Sequence, residues 1–160
     1  MEKTMERNVT NVVEQTINSQ LALVEADIKN CPDNLWEEKC GGDPYWRQLY
    51  HLLCGMRVML NFPEDAPPQF PLPEEAGRLQ GAVITEPHGK DIILKFLEDT
   101  KNYLSDYFKR LNDNMLFAET DFYGRTLPLL AVLLISSGHI LYHVGVCDAA
   151  LREKGAKASM

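Results

Sequence analysis

Apolar side chains recur at intervals of three and four residues through four long stretches of the chain, the spacing that lines one face of an α-helix. From about residue 5 to residue 29, starting near Met5, they fall at Val9, Val12, Val13, Ile17, Leu21, Val24 and Ile28; Asn30, Cys31 and Pro32 end the helix. Asp43 followed by Pro44 predicts an N-cap with proline at the first helical position. The second helix then carries Tyr45, Trp46, Leu49, Leu52, Leu53, Met56 and Met59, and Pro63 lies past its end. A third, over residues 90–111, bears an aromatic-rich stripe of Ile93, Phe96, Leu97, Tyr103, Leu104, Tyr107, Phe108 and Leu111. The fourth takes Thr126 as its cap, holds Pro128 in its first turn, and ends near Lys154 with Gly155 beyond. It is apolar nearly all round, which predicts a helix buried on most sides.

Between Asn61 and Lys90 stand prolines 63, 67, 68, 71, 73 and 87. Proline lacks the amide hydrogen that a helix or central strand needs, so this connection is a long crossover, with one short helix available within residues 73–80. No segment alternates strictly enough to predict a strand, and the residues around 112–125 form a polar link. The expected architecture is all-α: a four-helix bundle with a long proline-rich crossover between helices 2 and 3, in a single domain spanning residues 1–160.

The bulk numbers narrow the function classes. A formal charge of −7 without a basic run argues against nucleic acid, whose grip depends on clustered Lys and Arg. Four cysteines (Cys31, Cys40, Cys54 and Cys147) form no C-x-x-C pair, and no cationic start with an apolar run and cleavage site opens the chain; a reducing cytoplasm is the expected setting. Residues 126–147 carry no Asp, Glu, Lys or Arg and are long enough to span a bilayer. They also contain Ser136, Ser137, Gly138 and two histidines, and the other three helices need them to close a core, so no membrane span is expected.

Candidate chemistry gathers on the histidines. His139 and His143 are four apart on the most apolar helix, so both rings leave one face, where a single ion can reach both. His51 lies mid-helix among Leu49, Leu52 and Leu53, and would complete a set of three. A core histidine satisfied by a carbonyl is the competing reading for each taken singly. Residue 140 is isoleucine, which rules out the H-E-x-x-H protease pattern; Gln48, Ser136 and Ile140, three before each histidine, rule out the Glu-x-x-His di-iron pattern. Cys54 and Cys147 share helix faces with the histidines and are either soft ligands or packing residues. His88 either reaches the site or serves a turn. Trp36, Tyr45, Trp46, Tyr103 and Tyr142 either line a pocket or fill the core.

With His51 on the second helix and His139-Ile140-Leu141-Tyr142-His143-Val144-Gly145 on the fourth, the chain resembles the DinB/YfiT-like superfamily of small four-helix proteins. The resemblance takes in Leu35 and Trp36, the approach from Pro44 to His51, the crossover and the ending Leu151 to Gly155. It implies an up-up-down-down bundle, a divalent ion such as zinc, nickel or iron held by His51, His139 and His143, and a homodimer. The chain departs from the pattern at Val146, where many members carry Gln, and at Tyr142, often a histidine. On this basis the expected function is metal-dependent, as a thiol transferase or hydrolase taking a small-molecule thiol or substrate. The alternative is a non-catalytic metal- or ligand-binding dimeric stress-response module.

Overall fold

The computed structural model describes residues 6–80, 86 and 88–160, so Met5 at the predicted start of the first helix and Pro87 in the crossover lie outside the described residues. The four long helices are α1 (Asn8–Asn30), α3 (Tyr45–Met59), α4 (Lys90–Lys109) and α6 (Leu129–Glu153). Two single-turn helices, α2 (Asp33–Trp36) and α5 (Asp113–Leu116), follow α1 and α4. From Leu60 to Gln80 the chain is irregular except for a 3₁₀ turn, Glu74–Gly77.

The absence of predicted strands is corrected by two small antiparallel hairpins. In one, β1 (Lys39–Cys40) pairs with β2 (Asp43–Pro44) around Gly41 and Gly42, whose φ of 61° and 97° no side chain opposes. In the other, β3 (Glu119–Phe122) pairs with β4 (Arg125–Pro128) around Tyr123 and Gly124, both left-handed at φ 52° and 76°. That pair of conformations belongs to the two-residue turn that matches strand twist.

The hairpins also correct both predicted caps. Asp43 is a strand residue whose carboxylate pairs with Arg47 at 3.3 Å, both nearly buried, and accepts the Gln80 backbone N–H. Pro44 takes the cap position instead, and α3 begins at Tyr45. Thr126 is likewise paired opposite Asp121 in β4, so Pro128 is the cap residue and α6 begins at Leu129. In both cases the proline's locked φ turns an extended strand directly into a helix.

Around the bundle the order is α1, α6, α3, α4, so α1 and α3, successive long helices in the chain, sit diagonally. Ile17, Leu21, Leu49, Leu53, Phe108, Leu133, Ile140 and Val144 belong to one core cluster and have no exposed surface. Side chains of this size contribute about 1.5–3 kcal/mol each when fully buried. The prediction that the fourth helix is buried on most sides is corrected: its inner face is core, but Leu134, Ile135, Leu141 and Tyr142 face outward. Among the described residues α6 is the one helix long and apolar enough to cross a membrane by length and composition. Its inner face is nonetheless committed to α1 and α3, with Ser136, His143 and Asp148 buried there.

Candidate metal centre

Where α3 packs on α6, His51 of the first meets His139 and His143 of the second. The His139 Nε2 lies 3.3 Å from His51 Nε2 and 3.2 Å from His143 Nε2. The three rings stand edge to face, with centroids 4.7–5.2 Å apart. A tetrahedral ion with Zn–N arms of about 2.0–2.1 Å requires nitrogens about 3.3 Å apart, so the two separations made by His139 suit such an ion, and the third lies within 4.8 Å. Within the described residues this is the one group of three or more His, Cys, Asp or Glu side chains whose ligand atoms all come within 4.8 Å of each other. No carboxylate joins it, so the donor set is all-nitrogen and has room for further ligands.

The outer nitrogens are held unequally. His51 Nδ1 is 2.7 Å from the Gly77 carbonyl, which can only accept, so that nitrogen carries the proton and Nε2 faces its partners. His143 Nδ1 meets the Gln48 side-chain oxygen at 2.8 Å. His139 Nδ1 is buried with no hydrogen-bond partner among the described residues. Its ring is placed sterically instead: a Cβ at Gly55 would come within 2.6 Å of His139 Cε1, so the glycine lets the ring lie against α3.

Burial, with His51 beside it, holds the His139 imidazolium down to about 4. Burial, then His139 and His51, hold His143 down to about 3. Both rings are therefore neutral at pH 7, the form in which imidazole binds a metal.

The structure separates the remaining candidates. His88 packs edge-on against Trp46 at 4.9 Å, and its carbonyl accepts from the Trp36 indole; it is outside the histidine group. Cys147 is buried beside Cys40, and its thiol is driven well up by that burial. Cys54 is pushed up to about 11, again by burial, and lines a neighbouring cleft of about 530 Å³ with Tyr50, Phe70, Leu72, Gly77 and Arg78. Trp36, Tyr45 and Trp46 are core, and Tyr103 donates to the Leu60 carbonyl. Tyr142 alone of the five aromatics touches the centre, its ring 5.0 Å from that of His143, although it is largely exposed. Gln48, Gly55 and Gly77 were not anticipated. Two act through backbone atoms or the lack of a side chain, and Gln48 belongs to no motif.

No protein-family model matches the chain, and no curated protein matches it. A solved structure does: the crystal structure of a DinB-like protein from Bacillus cereus ATCC 10987, at TM-score 0.67 and 18% identity, covering 91% of this chain and 93% of that one. The match over nearly the full length of both chains gives this protein a DinB-like fold, with a histidine triad at metal-binding distance between its second and fourth long helices.

Proposed function

We propose that the protein binds a divalent metal, zinc, nickel or iron, on His51, His139 and His143, and works as a metal-dependent thiol transferase or hydrolase. The observation that carries this reading is the convergence of three Nε2 atoms at 3.2–3.3 Å along the two measured edges, with no carboxylate or thiolate among the described residues closing the group. Open positions suit a small-molecule thiol or water, and a bound divalent ion lowers the pKa of either. The chain's own part is to keep two rings neutral by burial, to aim them through α3 and α6, and to shield one side with Tyr142. A reducing cytoplasm belongs to the same proposal, supported by four cysteines that are all free.

Elemental analysis of purified, untagged protein tests the centre. Near-stoichiometric metal is expected in the wild type and none in the combined His51→Ala, His139→Ala, His143→Ala variant; equal metal in both refutes the site. Thiol-transfer assays on metal-loaded protein then test turnover. Silence across a broad panel of thiols and electrophiles supports the second reading, a non-catalytic metal- or ligand-binding dimeric module. The outward apolar face of α6 favours a dimeric module, because Leu134, Ile135 and Leu141 offer a second copy a surface to pack on.

A further inference from the structure

We propose that Gln48 is a positioning residue for the histidine centre: it holds His143 as the Nδ1–H tautomer, leaves Nε2 free for the metal, and ties the ring to the β1–β2 hairpin. The role toward a metal rests on the reading above; the tautomer does not.

The orientation of the Gln48 amide follows from its other contact. Its Nε2 is 2.8 Å from the Cys40 carbonyl, and a carbonyl oxygen only accepts, so the NH₂ group must face Cys40. The amide oxygen is thereby turned to His143 Nδ1, 2.8 Å away. That oxygen also only accepts, so Nδ1 must donate. A neutral imidazole has one proton to give; with it on Nδ1, the Nε2 lone pair points at the nitrogens of its neighbours, 3.2 Å from His139 Nε2. Gln48 and His143 are each 2% exposed, so water does not replace either contact. Left without an acceptor, a neutral imidazole favours the proton on Nε2, where it blocks the metal-facing nitrogen.

The hairpin makes room for this arrangement. Gly41 sits in the left-handed region at φ 61°, and a Cβ there would come within 3.2 Å of Gln48 Nε2 and 2.9 Å of Val146 Cγ1. The turn between β1 and β2 thus packs on α6 one turn beyond His143 and delivers the Cys40 carbonyl to the amide. The chain of contacts runs Cys40 carbonyl, Gln48, His143. His51 draws the same service from a main-chain carbonyl, and His139 Nδ1 has no partner among the described residues. Gln48 is therefore a side chain through which substitution reaches the proton of one ligand without touching the ligand.

The test uses the full chain in two measurements. Long-range ¹H–¹⁵N correlation on metal-free, ¹⁵N-labelled protein at pH 7 reads the His143 tautomer. Zinc affinity is read by competition with a chelator. The wild type is expected to show Nδ1–H; Gln48→Glu, which gives up the donor to the Cys40 carbonyl but keeps an acceptor facing Nδ1, is expected to preserve it; Gln48→Met, of similar shape without either, is expected to lose it. Zinc affinity is expected to fall about 10–100-fold in Gln48→Met, the range for removal of a ligand's outer partner, and to be restored most of the way in Gln48→Glu. Circular dichroism confirms that each variant is helical. An Nε2–H tautomer in the wild type overturns the proposal even if Gln48→Met does not fold. So do an unchanged tautomer and affinity in a folded Gln48→Met. A wild type that binds no zinc refutes the metal reading, while the tautomer, read without metal, still decides whether Gln48 sets His143.

Discussion

At the scale of single residues, Gly55 places His139 by having nothing to place. A Cβ there would meet His139 Cε1 at 2.6 Å and Nδ1 at 3.1 Å, and among the described residues no hydrogen bond to Nδ1 opposes a shift of the ring. Gly55→Ala is thus expected to raise helix propensity by about 1 kcal/mol while turning Nε2 away from the other two. Metal affinity is expected to drop at least tenfold with helix content unchanged, as read by chelator competition beside circular dichroism; unchanged affinity contradicts this placement. Such residues are hard to read in a sequence. The pair His139 and His143 announces itself by its spacing of four, whereas His51 needed the family resemblance to join it. Gln48 looks like an ordinary helix glutamine, Gly77 contributes only a carbonyl, and Gly55 resembles a flaw in a helix.

Among the elements, α1 and α6 carry a buried pair of carboxyl groups that the bundle must accommodate. Asp27 and Asp148 are both fully buried. Asp148 accepts from Ser159 N at 2.6 Å, Ser159 Oγ at 3.0 Å and Met160 N at 2.9 Å, which binds the C-terminal segment to α6. Burial, reinforced by Asp148 and opposed by Ser159, pushes the Asp27 carboxyl from an ordinary 3.8 up to about 8. The folded chain therefore keeps a proton that the unfolded chain releases between those values. Stability from protonated Asp27 is full below about pH 4 and lost as pH rises towards 8. Asp27→Asn is expected to remove this slope. Its melting temperature should exceed that of the wild type by several degrees at pH 8.5, about 2–4 °C for each kcal/mol, and by little at pH 4; parallel curves would contradict the assignment. The helices themselves were legible because their apolar period is long. The hairpins were not: β1 and β2 have two residues each, too few to alternate, and β3 and β4 are only partly buried with polar side chains on both faces. Asp43 and Thr126 read as caps from local chemistry, but pairing with Arg47 and with β3 claimed them first.

For the whole molecule, the outstanding feature is an apolar face that the four-helix core leaves uncovered. Leu134 is 60% exposed, Ile135 41%, Leu141 39% and Tyr142 66%. They recur seven apart on α6, at 134 and 141 and at 135 and 142, with Gly138 and Gly145 open to close approach. A repeat of seven presents one continuous seam to another helix. Val9 and Val12 of the adjacent α1 are exposed as well. A homodimer needs about 1,200–2,000 Å² of buried surface in total, and a twofold axis doubles whatever one copy supplies. We therefore expect the protein to be a dimer through α6, a state the family resemblance also implies. Multi-angle light scattering on purified protein should give twice the 18.2 kDa chain mass. Leu134→Lys with Leu141→Lys should return it to the single-chain mass with helicity and metal content retained, because neither side chain touches the inner face that holds His139 and His143. A wild type that runs as a monomer, or a double variant that stays dimeric, rejects this face as the interface. Loss of metal in the monomeric variant would mean instead that the second copy helps to hold α6 in register against α3, and that the centre is assembled by the dimer.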